Sequence, residues 1–266
     1  WATMTLALSP SRAGDYQQCP LMYRLKAIDK IPEPKTIHQV RGSLVHAVLE
    51  EMFTWPRDQR TYPAAVKELR PAWARLQELE PACAEPVEDE MQLLIDARAL
   101  LKGYFHMEGP ERFDPHAQEM RVESVLPNGV PVRGFIDRVD IADSGEVRVV
   151  DYKTGKMPPP RFADSALFQM RFYALVYWRL FNVIPAQLKL MYLKVMDSMV
   201  IQPSREELEY FERDLGDLWA NIVADGKEGT FKPKTSKLCG WCSFQSLCPE
   251  YGGTPPPYPG WPEVFQ

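Results

Sequence analysis

The chain has 266 residues, a formal net charge of −5 and 45% hydrophobic residues, which suits one large domain or two small ones. No run of eighteen apolar residues occurs, which argues against a membrane span, and no signal peptide is recognisable, so we expect a cytoplasmic protein. The net negative charge argues against a protein that coats nucleic acid, but basic residues outnumber acidic ones in residues 1–50 and 121–200, which permits a basic channel.

The first part of the chain is predicted to be helical. Ser9 or Ser11 would cap a short helix that runs to Gln18. Apolar residues that share one helical face predict longer helices over residues 39–55, 63–79 and 87–107. Linkers rich in Pro and Glu join the last two helices.

From about residue 117 the pattern becomes that of β-strands. Segments 118–126, 130–141 and 146–154 are rich in β-branched residues, and turn sequences at 128–129 and 143–145 separate them. We therefore predict a three-stranded meander.

A proline run at 158–160 then breaks the chain. A helix over 165–182, two short strands within 187–202 and a helix over 204–225 are predicted to follow it. The order of elements favours a single domain of mixed α/β class, with helices around a mixed sheet. We divide it into a mostly helical part (1–115), a sheet core (116–203), a helix with a cysteine cluster (204–251) and an extended tail (252–266).

The second predicted strand contains two acidic residues in the stretch 134–140, GFIDRVD. Side chains alternate along a strand, so two sets are expected on opposite faces. One face would carry Phe135, Asp137 and Val139. The other would carry Ile136, Arg138 and Asp140. Both sets contain apolar residues, so the strand is expected to be covered on both sides. An acid that is partly buried there needs hydrogen bonds, a counter-charge or a metal.

The third predicted strand ends in an Asp-x-Lys element, Asp151 and Lys153. A tight turn joins this strand to the preceding one, so Asp137 can lie beside Asp151. Two converging carboxylates favour a divalent cation with hard oxygen ligands, magnesium or manganese. Lys153 could then orient water or stabilise charge on a phosphate. The alternative is an ordinary ion pair with surface acids on a hairpin.

Together, Gly134–Asp137 and Asp151-Tyr-Lys-Thr-Gly155 resemble the core of the PD-(D/E)XK nuclease superfamily, and more narrowly the RecB-type exonuclease domains. Segment 41–50, which contains His46, resembles the helix that brings a histidine to the metal. The resemblance implies a restriction-endonuclease-like fold and a magnesium or manganese ion held by His46, Asp137, Asp151 and the Tyr152 carbonyl. Many relatives have Glu where Asp151 stands, a side chain one methylene longer.

Further positions are candidate contacts, and the resemblance supplies the first two. Gln169 and Tyr173 match a Gln-x-x-x-Tyr helix whose side chains contact the substrate. Arg12, Arg171 and the basic segment 232–237 are candidate phosphate contacts. Glu50, one turn after His46, is either a partner for the imidazole or a solvated acid.

Cys239, Cys242 and Cys248 form a C-x2-C-x5-C pattern that predicts a metal site with a missing fourth ligand. The chain offers Cys19 and Cys83. The stretch 9–20 resembles the N-terminal element of the iron–sulfur members of this group, the AddB-type and CRISPR-adaptation nucleases. That resemblance implies Cys19 and a [4Fe–4S] cluster, whereas the spacing alone does not separate zinc from iron–sulfur.

The resulting expectation is a metal-dependent exonuclease that acts on single-stranded DNA or DNA ends, associated with the nucleoid and with repair, recombination or CRISPR adaptation. No phosphate-binding GxxxxGK[ST] loop occurs, so a helicase would be a separate partner. Two alternatives stay open: a non-catalytic nuclease-like module that binds DNA or a helicase, and a zinc-stabilised DNA-binding protein with a chance Asp-x-Lys.

Overall fold

The computed structural model describes residues 6–159 and 163–262. Its described residues form seven α-helices: α1 (Pro10–Gln18), α2 (Pro20–Tyr23), α3 (Ile37–Thr54), α4 (Tyr62–Leu79), α5 (Glu90–Met107), α6 (Asp164–Phe181) and α7 (Arg205–Glu228). They also form five strands: β1 (Ala117–Val125), β2 (Pro131–Ile141), β3 (Val147–Lys153), β4 (Gln187–Tyr192) and β5 (Asp197–Ile201). All the long predicted elements are thus present, and their ends lie within a few residues of the predicted ones. Helix α2 and the π-helix Arg24–Ile28 were not predicted. Pro160 and the end of the predicted tail lie outside the described residues.

Local hydrogen bonds explain where several helices begin. The Ser9 side chain accepts from the Arg12 N–H at 3.2 Å, so the first of the two predicted caps is the one that forms. A reciprocal capping box between Thr36 and Gln39 starts α3, and another between Ser204 and Glu207 starts α7.

The five strands form one mixed sheet in the order β1-β2-β3-β4-β5. Neighbours are antiparallel except β3 and β4, which are parallel and are connected through α6. A parallel pair requires a long crossover, and the helix supplies it. The predicted mixed sheet flanked by helices is confirmed.

The sheet separates two hydrophobic cores. On one face, α6 and α7 pack on residues such as Val139 and Val149. On the other face, α3, α4 and α5 pack on residues such as Val150 and Tyr152. The sheet is therefore covered on both sides. A charged side chain on a middle strand must form an ion pair or hydrogen bonds, or lie where the covering leaves a gap to solvent.

Strict alternation fails in β2 around Asp137. Ile136 and Val139 both pack in the core with α6, while Arg138 points to the opposite side, against Phe53 and Tyr152. The predicted face assignment is therefore wrong for Ile136. The irregularity lies opposite Glu119, whose φ of 41° is in the left-handed region that a non-glycine residue in a strand rarely adopts.

The first half of β2 has a different neighbour from its second half. Residues 138–141 pair with β3, whereas Val132 pairs with Leu8 of the N-terminal segment. The Leu8 N–H donates to the Pro131 carbonyl at 2.7 Å, and the Arg133 N–H donates to the Leu8 carbonyl at 2.9 Å. Strands β2 and β3 thus separate at residue 137, and α1 is anchored beside the opening.

The residues after 252 are irregular and lie against the body of the protein. The Tyr258 hydroxyl donates to the Gly226 carbonyl at 2.8 Å, and Arg24 lies over the Tyr258 ring. Trp261 lies so close to Gly226 that a Cβ there would be 2.0 Å from the indole. None of the helices in the described part of the chain is both long and apolar enough to cross a bilayer.

Candidate active site

The opening between β2 and β3 contains Asp137 and Asp151. The antiparallel register continues to place these residues opposite one another, one position beyond the last pair, Arg138 with Val150. One Asp137 oxygen accepts the Tyr152 N–H at 2.7 Å. Because β2 and β3 have separated here, this carboxylate replaces the backbone acceptor that β2 would otherwise offer to β3. Burial, followed by the negative charge of Asp151, raises the pKa of Asp137 to about 7.

Asp151 begins a row of polar side chains that continues onto α6. Its carboxylate lies 2.7 Å from the Lys153 ammonium, which also donates to the Gln169 side-chain oxygen at 2.5 Å. The Gln169 amide in turn lies 3.5 Å from the Tyr173 hydroxyl. Lys153 is held between an acid and an amide, so its ammonium has a fixed position at the mouth of the opening.

Gly134 lets Tyr173 lie directly on β2. A Cβ at this position would be 2.8 Å from the ring of Tyr173, which is closer than side-chain carbons approach. The glycine in the GFID stretch is therefore required by packing rather than by backbone conformation.

His46 reaches the same opening from α3. Its Nε2 donates to the Tyr152 carbonyl at 3.0 Å, and its Nδ1 lies 3.6 Å from Asp137 Oδ1 and 3.7 Å from a Glu119 oxygen. Burial alone would lower the pKa of His46. The nearby Glu119 carboxylate and the charges of Asp137 and Asp151 outweigh burial and raise this pKa to about 9.

Glu119 is the residue of this site that the sequence interpretation missed. It lies on β1 opposite Asp137, where the regular pairing of β1 with β2 is interrupted. The signal was available in the hairpin register, because pairing outward from Val125 and Pro131 brings residue 119 opposite residue 137. Glu50, the other candidate partner of His46, is exposed.

The donor atoms at the opening fit a divalent cation. One ligand atom from each of His46, Glu119 and Asp137 lies within 4.8 Å of the others, and the Tyr152 carbonyl is adjacent. Carboxylate and carbonyl oxygens with one imidazole nitrogen suit magnesium or manganese. Asp151 is not part of this compact set, and its carboxylate pairs with Lys153.

The two arginines predicted to contact phosphate occupy different places. Arg12 lies on α1, where one of its nitrogens donates to the Ala7 carbonyl at 2.9 Å. Arg171 lines a cavity of about 290 Å³ between α6 and α7, together with Asp214. Of the basic segment 232–237, Lys234 donates its ammonium to the Gln17 carbonyl at 3.0 Å.

Four of the five cysteines differ from the fifth in their surroundings. One small cavity of about 30 Å³ is lined by four of them, Cys19, Cys239, Cys242 and Cys248. Cys83 is buried in the helical core on the other side of the sheet, where its thiol lies 3.5 Å from Glu80.

Backbone amides point at two of these sulfurs. The Lys234 N–H lies 3.4 Å from Cys19 Sγ, and the Ser236 N–H lies 3.2 Å from Cys239 Sγ. Among the residues that the structure describes, no three cysteine sulfurs lie within 4.8 Å of one another. The arrangement is thus wider than a closed tetrahedral zinc site, whose sulfur–sulfur edge is about 3.8 Å when Zn–S bonds are about 2.3 Å.

Comparison with known proteins identifies the family. The sequence model of the PD-(D/E)XK nuclease superfamily matches residues 7–249, which is most of the chain. The protein belongs to the PD-(D/E)XK nuclease superfamily. In this superfamily member, Asp137, Asp151 and Lys153 lie at the point where β2 and β3 separate.

Two known proteins are similar to this PD-(D/E)XK protein, one in sequence and one in fold. The Gene 69 protein of Mycobacterium phage D29 is 28% identical over 190 residues, which cover 63% of this chain and 67% of the phage protein. The crystal structure of an Eubacterium rectale protein, described as a candidate exonuclease, has a TM-score of 0.57 at 11% identity and covers 90% of this chain and 87% of its own. The second comparison shows a shared fold.

Proposed function

We propose that this protein is a magnesium- or manganese-dependent DNA exonuclease that acts on single-stranded DNA or DNA ends. The observation that carries the proposal is the convergence of a compact three-donor group with an Asp–Lys pair at one opening of the sheet. Membership of a nuclease superfamily and the fold shared with a candidate exonuclease support it.

His46, Asp137, Asp151 and the Tyr152 carbonyl would hold the cation, and Glu119 would join them. When bound, the cation would neutralise the clustered carboxylates and activate water for phosphodiester hydrolysis. Burial and the neighbouring Asp151 raise the pKa of Asp137, so its ionised form is unfavourable as it stands and would be favoured by a bound cation.

Lys153 would position the attacking water and stabilise negative charge on the phosphate. Its ammonium is already oriented by Asp151 and Gln169, which leaves its remaining hydrogen-bonding capacity for water or phosphate. Tyr173 would contact the scissile strand beside Gln169. For Arg12 and Arg171 we propose phosphate contacts farther along the strand.

The direct test is digestion of single- and double-stranded DNA, labelled separately at each end, with manganese. We expect stepwise loss of nucleotides by the wild-type protein and none by folded Asp151→Ala and Lys153→Ala proteins. Asp143→Ala, in the exposed turn between β2 and β3, is the matched control and should cleave normally. Binding of DNA without manganese and without cleavage would instead support a non-catalytic DNA-binding module. Cleavage by Asp151→Ala and Lys153→Ala at the wild-type rate would refute the assigned roles.

We also propose that Cys19, Cys239, Cys242 and Cys248 hold a [4Fe–4S] cluster. The cavity that all four line, and the amide groups directed at two sulfurs, support a thiolate site. Such a site would join the two ends of the domain beside α1, which carries Arg12. Its role would be structural.

Metal analysis after anaerobic purification tests this second proposal. We expect brown protein with iron and acid-labile sulfide in the wild type, loss of both in Cys19→Ser, and retention in Cys83→Ser. If the analysis finds zinc and no iron, the four cysteines hold a structural zinc ion rather than a cluster. That result would favour the zinc-stabilised DNA-binding alternative. A repair or CRISPR-adaptation context, a separate helicase partner and association with the nucleoid stay predictions.

A further inference from the structure

A groove of about 610 Å³ opens beside the Lys153–Gln169 contact. Gln169 and Tyr173 form one side of it, and the start of α1, residues 9–11, forms another. The remaining lining comes from β1 and β2, with Gly134, Phe135 and two arginines. Its volume lies in the range of ligand sites, roughly 300–1,000 Å³.

Phe135 is unusually exposed for a phenylalanine in a central strand. Its exposed fraction is 56%, while Ile136 next to it is fully buried. It lies two residues before Asp137, so the two Cα atoms are about 7 Å apart along the strand. An aromatic ring is therefore open to solvent directly beside the proposed catalytic opening.

Arg133 is a cation of the same groove whose charge is not balanced. Its side chain makes no hydrogen bond or ion pair with any residue that the structure describes, although the residue is only partly exposed. Arg121 across the groove, by contrast, pairs with Glu123 at 2.5 Å. Burial, followed by the positive charge of Arg133, lowers the pKa of Arg12 on α1. A groove lined by a guanidinium without a counter-charge attracts an anion.

We propose that this groove binds one nucleotide of single-stranded DNA, with its base stacked on Phe135 and the adjacent phosphate bound by Arg133. The inference rests on the proposed nuclease function and specifies its substrate. Stacking requires a base whose face is free, which a single strand offers and the interior of a duplex does not. The groove therefore favours unpaired strands at the active site.

Binding measured without divalent metal separates this inference from catalysis. We compare labelled oligothymidylate with an abasic strand of equal length, using fluorescence anisotropy. Phe135→Ala should weaken binding to oligothymidylate about tenfold, in line with the usual contribution of base–aromatic stacking. It should leave abasic-strand binding unchanged. Phe135→Tyr should retain the wild-type difference between the strands, and Tyr210→Ala, an exposed aromatic on α7, is the matched control.

Arg133→Gln should weaken binding to both strands equally, since a phosphate contact does not depend on the base. The slope of log affinity against log salt should fall by about 0.7 for the one contact removed. Arg112→Gln, whose exposed side chain pairs with its neighbour Glu111, is the matched control and should leave the slope unchanged.

The outcomes distinguish the two proposals. If Phe135→Ala loses equal affinity for both strands, or none, base stacking is refuted even when the protein digests DNA. An unchanged salt slope in Arg133→Gln refutes the phosphate contact. Failure of the wild-type protein to digest any DNA, with binding differences as expected, would refute the nuclease function and leave a single-strand binding groove.

Discussion

Replacing Arg138 by Met should strongly destabilise the protein. Arg138 is fully buried and binds both oxygens of Glu108, at 2.7 and 2.8 Å, as well as Asp140 at 3.0 Å. Removing one partner of a buried ion pair typically costs 3–5 kcal/mol, because the remaining charge stays buried alone. Lys189 lies 3.8 Å from Glu108, and Arg148 lies 2.8 Å from Asp140, so both acids keep a second cation. We therefore expect the lower end, about 3 kcal/mol.

The same change should also affect the candidate active site. Arg138 donates to the Tyr152 hydroxyl at 2.8 Å, and the Tyr152 backbone contacts both His46 and Asp137. A shift of Tyr152 would misplace two proposed metal ligands, so we expect reduced nuclease activity in protein that is still folded.

Urea unfolding measured by circular dichroism gives the free energies. The double variant Arg138→Met/Glu108→Leu should be more stable than Arg138→Met, because it also removes the buried carboxylate that has lost its arginine. Arg70→Met, which removes an exposed ion pair with Glu90, is the control and should cost less than about 1 kcal/mol. A cost below about 1 kcal/mol for Arg138→Met would refute the reasoning.

Three further predictions concern the site and its support. Glu119→Gln should weaken Mn²⁺ binding about tenfold or more in calorimetry, and unchanged affinity would exclude it as a ligand. Gly134→Ala places a Cβ 2.8 Å from Tyr173 and should cost about 1–3 kcal/mol with loss of activity, while Gly155→Ala, which has open space, should do neither. Burial raises the pKa of Glu108, but the arginine that it binds outweighs this effect, so the pKa lies below its usual range. Its stabilisation is complete above an unfolded-state pKa of about 4.3 and is lost as pH falls through the folded value, so Glu108→Gln should lose less stability between pH 5 and 3 than wild type.

Local pattern was sufficient for the elements and for the relative positions of several candidate site residues. Strand periodicity and turn residues located β1 to β3, and the Asp-x-Lys spacing put Asp151 and Lys153 on one face of β3, which the contacts of Lys153 with Asp151 and Gln169 bear out. The tight turn after β2 was enough to bring Asp137 beside Asp151. These inferences succeeded because propensity, alternation and short connections act over a few residues.

Tertiary structure alone decided what surrounds those residues. Glu119 reaches His46 only because β1 and β2 deform together at Asp137, where the period of two that the sequence pattern assumes no longer holds. The groove with Phe135 and Arg133 exists because the N-terminal segment pairs with β2 where β3 departs. Backbone irregularity and contacts between distant segments depend on how the whole chain packs, so the sequence by itself determined the acids and the lysine, and only the fold decided which groups face them.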